Sequence, residues 1–285
     1  MTPDGRARRS ALYMPAANSR AIEKARDLAC DVVILDLEDA VAPDAKALAR
    51  SQAVAAVQAG GFGHREVVVR VNGLETPWGR EDLDAVAAIR PDAVLAPKVS
   101  SPADLSAYRS AIGPDISLWA MIETCAAAFQ LEALAMASAE RGVTAWVVGA
   151  NDLAKEMRCH PGVDRAPLAP FLAQTVMAAR MRGLTVLDGV YNELEDDDGL
   201  RRQCEQGVAF GFDGKTLIHP RQVEIANETF APSPDEVAWS RKVVEAFAQP
   251  ENAARGVLRL DGKMVERLHL DQARHVLAIS AAIAA

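Results

Sequence analysis

The stretch "SLWAMIE" at residues 117–123 is apolar from Leu118 to Ile122 and then stops on a carboxylate, Glu123. Further along, "TAWVVGAND" at 144–152 repeats the pattern and stops on Asp152. Short runs that are nearly continuous in apolar residues suit strands covered on both faces, as in parallel sheets. Six more runs of this kind are present: "SALYMPA" (10–16), "DVVILDLED" (31–39), "EVVVRVN" (66–72), "AVLAPKV" (93–99), "LTVLDGVY" (184–191) and "GFDGKTLIHP" (211–220). Helical patterns alternate with them, among them "DAKALARSQAVAAVQA", "SPADLSAYRSAI" with its Ser-Pro start signal, and "TCAAAFQLEALAMAS". Gly60, Gly113, Gly142 and Gly183 punctuate helix ends. Eight strand-then-helix units predict an α/β fold, a (β/α)8 TIM barrel over residues 1–230. An open doubly wound sheet fits less well, because no GxGxxG follows the first run.

Residues 231–285 lie outside the eight units and are expected to form a C-terminal helical extension, a lid or an inter-subunit element. "SPDEVAWSRKVVEAFAQ" reads as a capped amphipathic helix. "RGVLRLDGKMVE" reads as two short extended pieces around an Asp261-Gly262 turn, and "LDQARHVLAISAAIAA" as a final helix.

The composition is that of an ordinary globular chain: 285 residues, half hydrophobic, a quarter charged. A net charge of −8 argues against a nucleic-acid partner, whose footprint on a protein is basic. No apolar run approaches the roughly 20 residues of a membrane span. The basic start "MTPDGRARRS" leads into no signal-type segment, so no export signal is expected. Cys30, Cys125, Cys159 and Cys204 form no CxxC pair and read as reduced thiols of a cytoplasmic protein.

In such barrels chemistry sits where strands end. The second run ends Asp36-Leu37-Glu38-Asp39, the third at Arg70 and Asn72, the fourth at Lys98, the fifth at Glu123 and the sixth at Asn151-Asp152. Charged groups are seldom buried unless paired, so the set calls for a common partner. A hard cation such as Mg²⁺ supplies one, since it takes carboxylate, water and substrate oxygens. Glu123 and Asp152, on neighbouring strands, would be its direct ligands, and Glu38 and Asp39 would hold metal-bound waters. Arg70 and Lys98 would face a substrate oxyanion or carboxylate. Blander roles are open for each: Asp152 as a helix cap, Glu123 as an ion-pair partner of Arg70, Lys98 as a salt bridge at the barrel mouth, Asp36 as a structural residue.

The motifs "RSALYMPA", "DVVILDLEDAVAPDAKALAR", "VVVRVNGLETPWGREDL", "VLAPKV", "MIET", "GANDL" and "GFDGKTLIHPRQV" resemble, in order, the HpcH/HpaI aldolase–citrate lyase beta-subunit family, and most of all its CitE-like malyl-CoA and citramalyl-CoA lyases. The resemblance implies a TIM barrel, Mg²⁺, a CoA thioester substrate and a homotrimer or hexamer. It assigns the metal to Glu123 and Asp152, metal-bound waters to Glu38 and Asp39, substrate oxygens to Arg70 and a keto-acid carboxylate to the amides around Gly149, Ala150 and Asn151. Lys215, in "GKTLIHP", falls where the CoA arm would pass. Three departures stand out. Pro15-Ala16 replaces the usual Pro-Gly. Asn151 stands where the motif "GAED" has glutamate. Glu266, in "GKMVE", occupies the place of an aspartate acid/base that reaches a neighbouring subunit's site; its extra methylene shifts the carboxylate by on the order of an ångström, enough to alter turnover.

On this resemblance the expected reaction is cleavage or formation of a 3-hydroxyacyl-CoA by a carbon–carbon lyase, with an acyl-CoA and a 2-keto acid as products. Arg70 would stabilise an enolate oxygen and Glu266 would move a proton. The alternatives are a malyl-CoA-type thioesterase and a non-catalytic CoA- or organic-acid-binding homologue. A citrate lyase subunit would need an acyl-carrier protein as partner.

Overall fold

The computed structural model describes residues 5–252 and 254–284. Residues 1–4, at the start of the basic N-terminal stretch, together with Ala253 and Ala285, lie outside the described residues. Eight parallel strands close into a barrel in sequence order: β1 (Ser10–Pro15), β2 (Val32–Asp36), β3 (Glu66–Arg70), β4 (Ala93–Ala96), β5 (Ser117–Ile122), β6 (Val143–Val148), β7 (Thr185–Asp188) and β8 (Gly214–Leu217). The ring closes where Ala11 of β1 pairs with Thr216 of β8. The (β/α)8 barrel expected from the eight runs is the fold observed.

Side chains alternate across each strand, and the two faces build two cores. Ala11, Tyr13, Val32, Ile34, Val68, Leu95, Trp119, Met121, Ala145, Val147 and Leu187 fill the barrel interior. Their alternates, such as Leu12, Val33, Leu35, Val69, Leu118, Ala120, Trp146 and Val148, pack under the surrounding helices. This alternation decides where polar residues go. Continuing the interior series two residues at a time along β2, β3 and β5 leads from Ile34 to Asp36, from Val68 to Arg70 and from Met121 to Glu123. At the opposite end of the barrel Arg8 is buried against Glu66 and Thr185, with its guanidinium 5.1 Å from the Trp119 ring.

Helix boundaries follow local chemistry. Pro102–Ile112 begins with a reciprocal capping box between Ser101 and Asp104. Gly60 and Gly113 close their helices at positive φ, a backbone that side chains disfavour. The pattern "TCAAAFQLEALAMAS", which suggests one helix, is two: Cys125–Ala128 and Leu131–Glu140. The break falls at Phe129 and Gln130, whose backbones leave the helical region, and the Phe129 ring is 91% exposed.

The chain divides into two compact units, Arg8–Phe230 and a second built on residues 231–284. In the second, helix Pro234–Ala248 starts with a Ser233–Glu236 capping box. A hairpin of β9 (Val257–Leu260) and β10 (Lys263–Glu266) turns through Asp261 and Gly262, both at positive φ, as a two-residue turn of the primed type requires. Helix Arg267–Ala284 follows. Val243, Phe247, Leu258, Val265, Leu270 and Ala273 form this unit's own apolar core.

Candidate active site

At the C-terminal ends of the strands a cavity of about 290 Å³ is lined by Tyr13, Asp36, Asp39, Arg70, Met121, Glu123, the segment 148–152, Val190, Asn192, Thr216 and Ile218. Its polar groups descend from strand alternation and from the first turn of helix Ala150–Met157.

Arg70 is the most constrained. Its Nε and Nη2 donate to the two carboxylate oxygens of Asp36 at 2.7 and 2.6 Å, a two-pronged pairing. Nη1 faces Glu38 Oε2 at 2.8 Å and Asp39 at 3.5 Å, and the guanidinium stacks 4.7 Å from the Tyr13 ring. Burial opposes its charge, but Asp36 and the neighbouring groups outweigh burial and hold its pKa well above the ordinary value. Asp36 is therefore the residue that orients Arg70. The loop after β2 is pinned from below: Lys46 Nζ donates to the carbonyls of Leu37 and Glu38 and to Asn72 Oδ1 at 2.7–2.8 Å.

Glu123 is 1% exposed. Its Oε1 accepts from the Lys98 backbone N–H at 2.8 Å, while its Oε2 is buried without a hydrogen-bond partner. Burial, reinforced by the charges of Glu38 and Asp152, pushes its pKa up to about 8. Oε2 sits over Gly149, where any Cβ would collide with it. Gly149 precedes helix Ala150–Met157, so its lack of a side chain brings that helix's N-terminus against Glu123. The first N–H groups of a helix have no intrahelical acceptor and carry partial positive charge. Asp152, in that first turn, lines the same cavity; no side chain caps this helix, so the capping role open to Asp152 is not the one observed. The Glu123–Arg70 ion pair is likewise not among the ion pairs of the described residues.

The donor set fits a divalent cation. Glu123 and Asp152 line one cavity and Glu123 Oε2 is an orphaned buried oxygen, which suits a cation held by these two carboxylates with water or substrate oxygens completing its shell. Asp36 is paired with Arg70 and Glu38 with Arg70 and Lys98, and among the described residues no group of three or more Asp, Glu, His or Cys side chains is placed to hold a metal ion. A bound cation removes the desolvation cost that Glu123 bears alone.

The remaining sequence-derived residues are placed as follows. Glu38 is buried between Arg70 and Lys98, and burial raises its pKa. Asp39 is exposed at the cavity edge. Lys98 ion-pairs with Glu38 rather than lining the cavity, so the salt-bridge role is the one observed. Gly149, Ala150 and Asn151 line the cavity. Glu266 lies in the second unit, half-buried at the end of β10, its N–H donating to His269 Nδ1 at 2.9 Å. Lys215 requires correction. It is 0% exposed, and its Nζ donates to Asp188 Oδ2 at 2.9 Å, to Gln203 Oε1 at 2.7 Å and to the Gly189 carbonyl. All three ammonium protons are taken, so a role in binding the CoA arm is replaced by a structural one. Sequence reading also passed over Tyr13, Met121, Val190, Asn192, Thr216 and Ile218; Tyr13 and Met121 fall in step with the apolar interior series, and Asn192 follows β7 in a run that reads as loop.

Comparison with known proteins places this site in context. The chain is 50% identical over 277 residues to a (3S)-malyl-CoA thioesterase of Cereibacter sphaeroides, covering 97% of this chain and 96% of that one. It is 32% identical to an L-malyl-CoA/beta-methylmalyl-CoA lyase of the same species, covering 96% and 95%. Among solved structures it matches the CitE protein of Mycobacterium tuberculosis in complex with magnesium, acetoacetate and coenzyme A, with a TM-score of 0.79, 28% identity and coverage of 97% and 99%. The expectation of an enzyme is borne out at the level of the family. The expectation that this chain is itself a carbon–carbon lyase is overturned, because relatives with half their residues in common are named thioesterases while those named lyases are far more distant. The model for HpcH/HpaI aldolase/citrate lyase matches residues 9–220, and the chain belongs to that family of enzymes, among whose named members are both lyases and thioesterases.

Proposed function

We propose that this protein is a Mg²⁺-dependent thioesterase that hydrolyses a 3-hydroxyacyl-CoA of the malyl type to the free hydroxy acid and CoA thiol. The observation that carries this reading is the 50% identity, over nearly the whole of both chains, to a (3S)-malyl-CoA thioesterase. The cavity is compatible with it, being sized for a small acid and lined on one side by carboxylates around Arg70. Glu123 and Asp152 would hold the Mg²⁺, with Glu38 and Asp39 ordering water around it. The cation supplies positive charge for the acid end of the substrate when bound.

The protein's own groups do the rest. The N–H groups at the start of helix Ala150–Met157 orient the substrate carboxylate. Arg70, fixed by Asp36, presents positive charge to substrate oxygens. Met121, Val148, Val190 and Ile218 supply the apolar wall that limits the size of the acyl chain. Glu266, from a neighbouring copy in a homotrimer or hexamer, takes the proton of the attacking water. The four free cysteines are in keeping with a cytoplasmic setting.

The test is product analysis. Purified protein, Mg²⁺ and (3S)-malyl-CoA should yield malate and free CoA thiol in equal amounts. Glyoxylate and acetyl-CoA in their place, or no turnover of malyl-CoA or citramalyl-CoA, would sink the proposal.

A further inference from the structure

Thioester hydrolysis places negative charge on one particular atom. Water oxygen bonds to the thioester carbon, the C=O π pair moves onto the carbonyl oxygen, and a water proton passes to a carboxylate base. The C=O bond then re-forms, the C–S bond breaks, and the departing thiolate takes that proton to give thiol and acid. An enzyme gains rate where fixed donors meet the transient oxyanion. Such donors converge on one point of the cavity and find no strong acceptor of the protein's own there.

Two donors of this cavity meet both conditions, and the atom on which they converge is Met121 Sδ. Tyr13, on the interior face of β1, reaches across the ring to β5, where its hydroxyl donates to that sulfur at 3.9 Å. Arg70 Nη1 donates to the same sulfur at 3.6 Å. All three residues line the cavity. A thioether is a weak acceptor, so neither donor is well satisfied by it. The guanidinium is held by Asp36 through its other two nitrogens, which keeps Nη1 in place. The Tyr13 ring stacks on that guanidinium at 4.7 Å, so each donor helps to position the other. Tyr13 is 8% exposed, and its hydroxyl makes no other hydrogen bond among the described residues. Burial, reinforced by Asp36, Glu123 and Glu38 against the opposing charge of Arg70, pushes its pKa well above the ordinary value. The phenol therefore keeps its proton and serves as a donor rather than as a base. On the reading above, the acid end of the substrate goes to the cation and to the start of helix Ala150–Met157. The oxygen left for these two donors is the thioester carbonyl, a better acceptor than sulfur and better still once it carries charge.

We infer that the Tyr13 hydroxyl, beside Arg70 Nη1, receives the thioester carbonyl oxygen and stabilises the negative charge that develops on it, which makes Tyr13 a catalytic residue. This inference rests on the thioesterase reading above and adds a neutral donor, carried by β1, at the thioester end of its substrate.

Steady-state hydrolysis of (3S)-malyl-CoA by the wild type and Tyr13→Phe tests it, since the substitution removes the hydroxyl and keeps the ring against Arg70. Mg²⁺ binding by calorimetry and thermal unfolding report the site's integrity. Inhibition by a thioether analogue of malyl-CoA, with a methylene in place of the thioester carbonyl, reports binding that does not involve the oxygen in question. Removing an oxyanion donor costs about 10²-fold in kcat, so Tyr13→Phe should lose about that factor with KM nearly unchanged. Mg²⁺ affinity, unfolding midpoint and inhibition by the analogue should stay at the wild-type values. A kcat for Tyr13→Phe within about threefold of the wild type, against the expected donor effect, overturns the inference. So does a loss confined to KM, a loss of Mg²⁺ binding, or an analogue that weakens in step with kcat, each of which would make Tyr13 a wall of the cavity. If the wild type itself releases no thiol, the inference falls together with the thioesterase reading; if it does and Tyr13→Phe matches it, this inference falls alone.

Discussion

Gly149 and Glu123 share one volume: the space a side chain would take at 149 is filled by the Glu123 carboxylate. The backbone at Gly149 has φ −98°, which any residue can adopt, so glycine is required here for room rather than for conformation. Gly149→Ala should fold, displace Glu123, weaken Mg²⁺ binding and lower kcat by about 10²-fold, the scale on which small misplacements act. Isothermal titration with Mg²⁺ checks the first effect and turnover the second; wild-type behaviour in both would show that the carboxylate can move aside freely.

The metal-free protein should lose stability as pH rises. Glu123 ionises near its ordinary value when unfolded and at about 8 when folded. Between those two values the folded state holds the extra proton, so unfolding free energy declines with pH across that interval and levels off above it. Glu38, also raised by burial, adds to the slope in the same direction. Chemical denaturation from pH 5 to 8.5 in chelator should show the decline. Glu123→Gln should flatten much of it, and saturating Mg²⁺ should offset it. A metal-free profile that rises with pH across this range would contradict the assignment.

Asp36 should matter to activity without touching substrate. Asp36→Asn leaves Arg70 buried with half its pairing, and breaking a buried ion pair costs about 3–5 kcal/mol. A lower unfolding midpoint is expected, together with a fall in kcat, since the guanidinium loses the fork that aims it. Asp36→Glu, which keeps the charge, should restore part of the stability and little of the rate. Equal stability of Asp36→Asn and wild type would mean the pairing is dispensable.

Lys215→Met should expose the difference between a structural and a ligand-binding lysine. Asp188 would retain Arg165, whose Nη1 donates to Oδ1 at 2.7 Å, but would lose one of its two cations. The cost should again be about 3 kcal/mol or more in stability, with KM for the CoA thioester unchanged in protein that remains folded. A raised KM at unaltered stability would return Lys215 to the substrate.

How much of this was legible in the sequence follows from what each residue type does in an apolar strand. Glu123, Asp152 and Arg70 stand out because a charge at the end of an apolar run needs a reason. Tyr13 and Met121 do not stand out, because they continue the interior alternation and look like core until the barrel is seen to open above them. Lys215 misleads for the opposite reason. The resemblance places its segment where a CoA arm would pass, and the counter-charge that buries the lysine, Asp188, lies on the neighbouring strand and is invisible in linear order. The reaction was less legible than the fold. Cleaving carbon from carbon and hydrolysing a thioester would both draw on the same cavity, and relatives named for each reaction match this chain over nearly its whole length.

Lys98 lies just beyond β4 in the left-handed region, φ +51°, a conformation that costs a lysine about 1–3 kcal/mol. From there its N–H reaches Glu123 and its ammonium reaches Glu38, joining carboxylates that belong to two different strands. Glycine would relieve the backbone and keep the first link while severing the second. Removing Lys98 would leave buried Glu38 with one of its two cations, a loss of the same order as the strain relieved or larger, so the left-handed backbone at 98 persists as the smaller penalty.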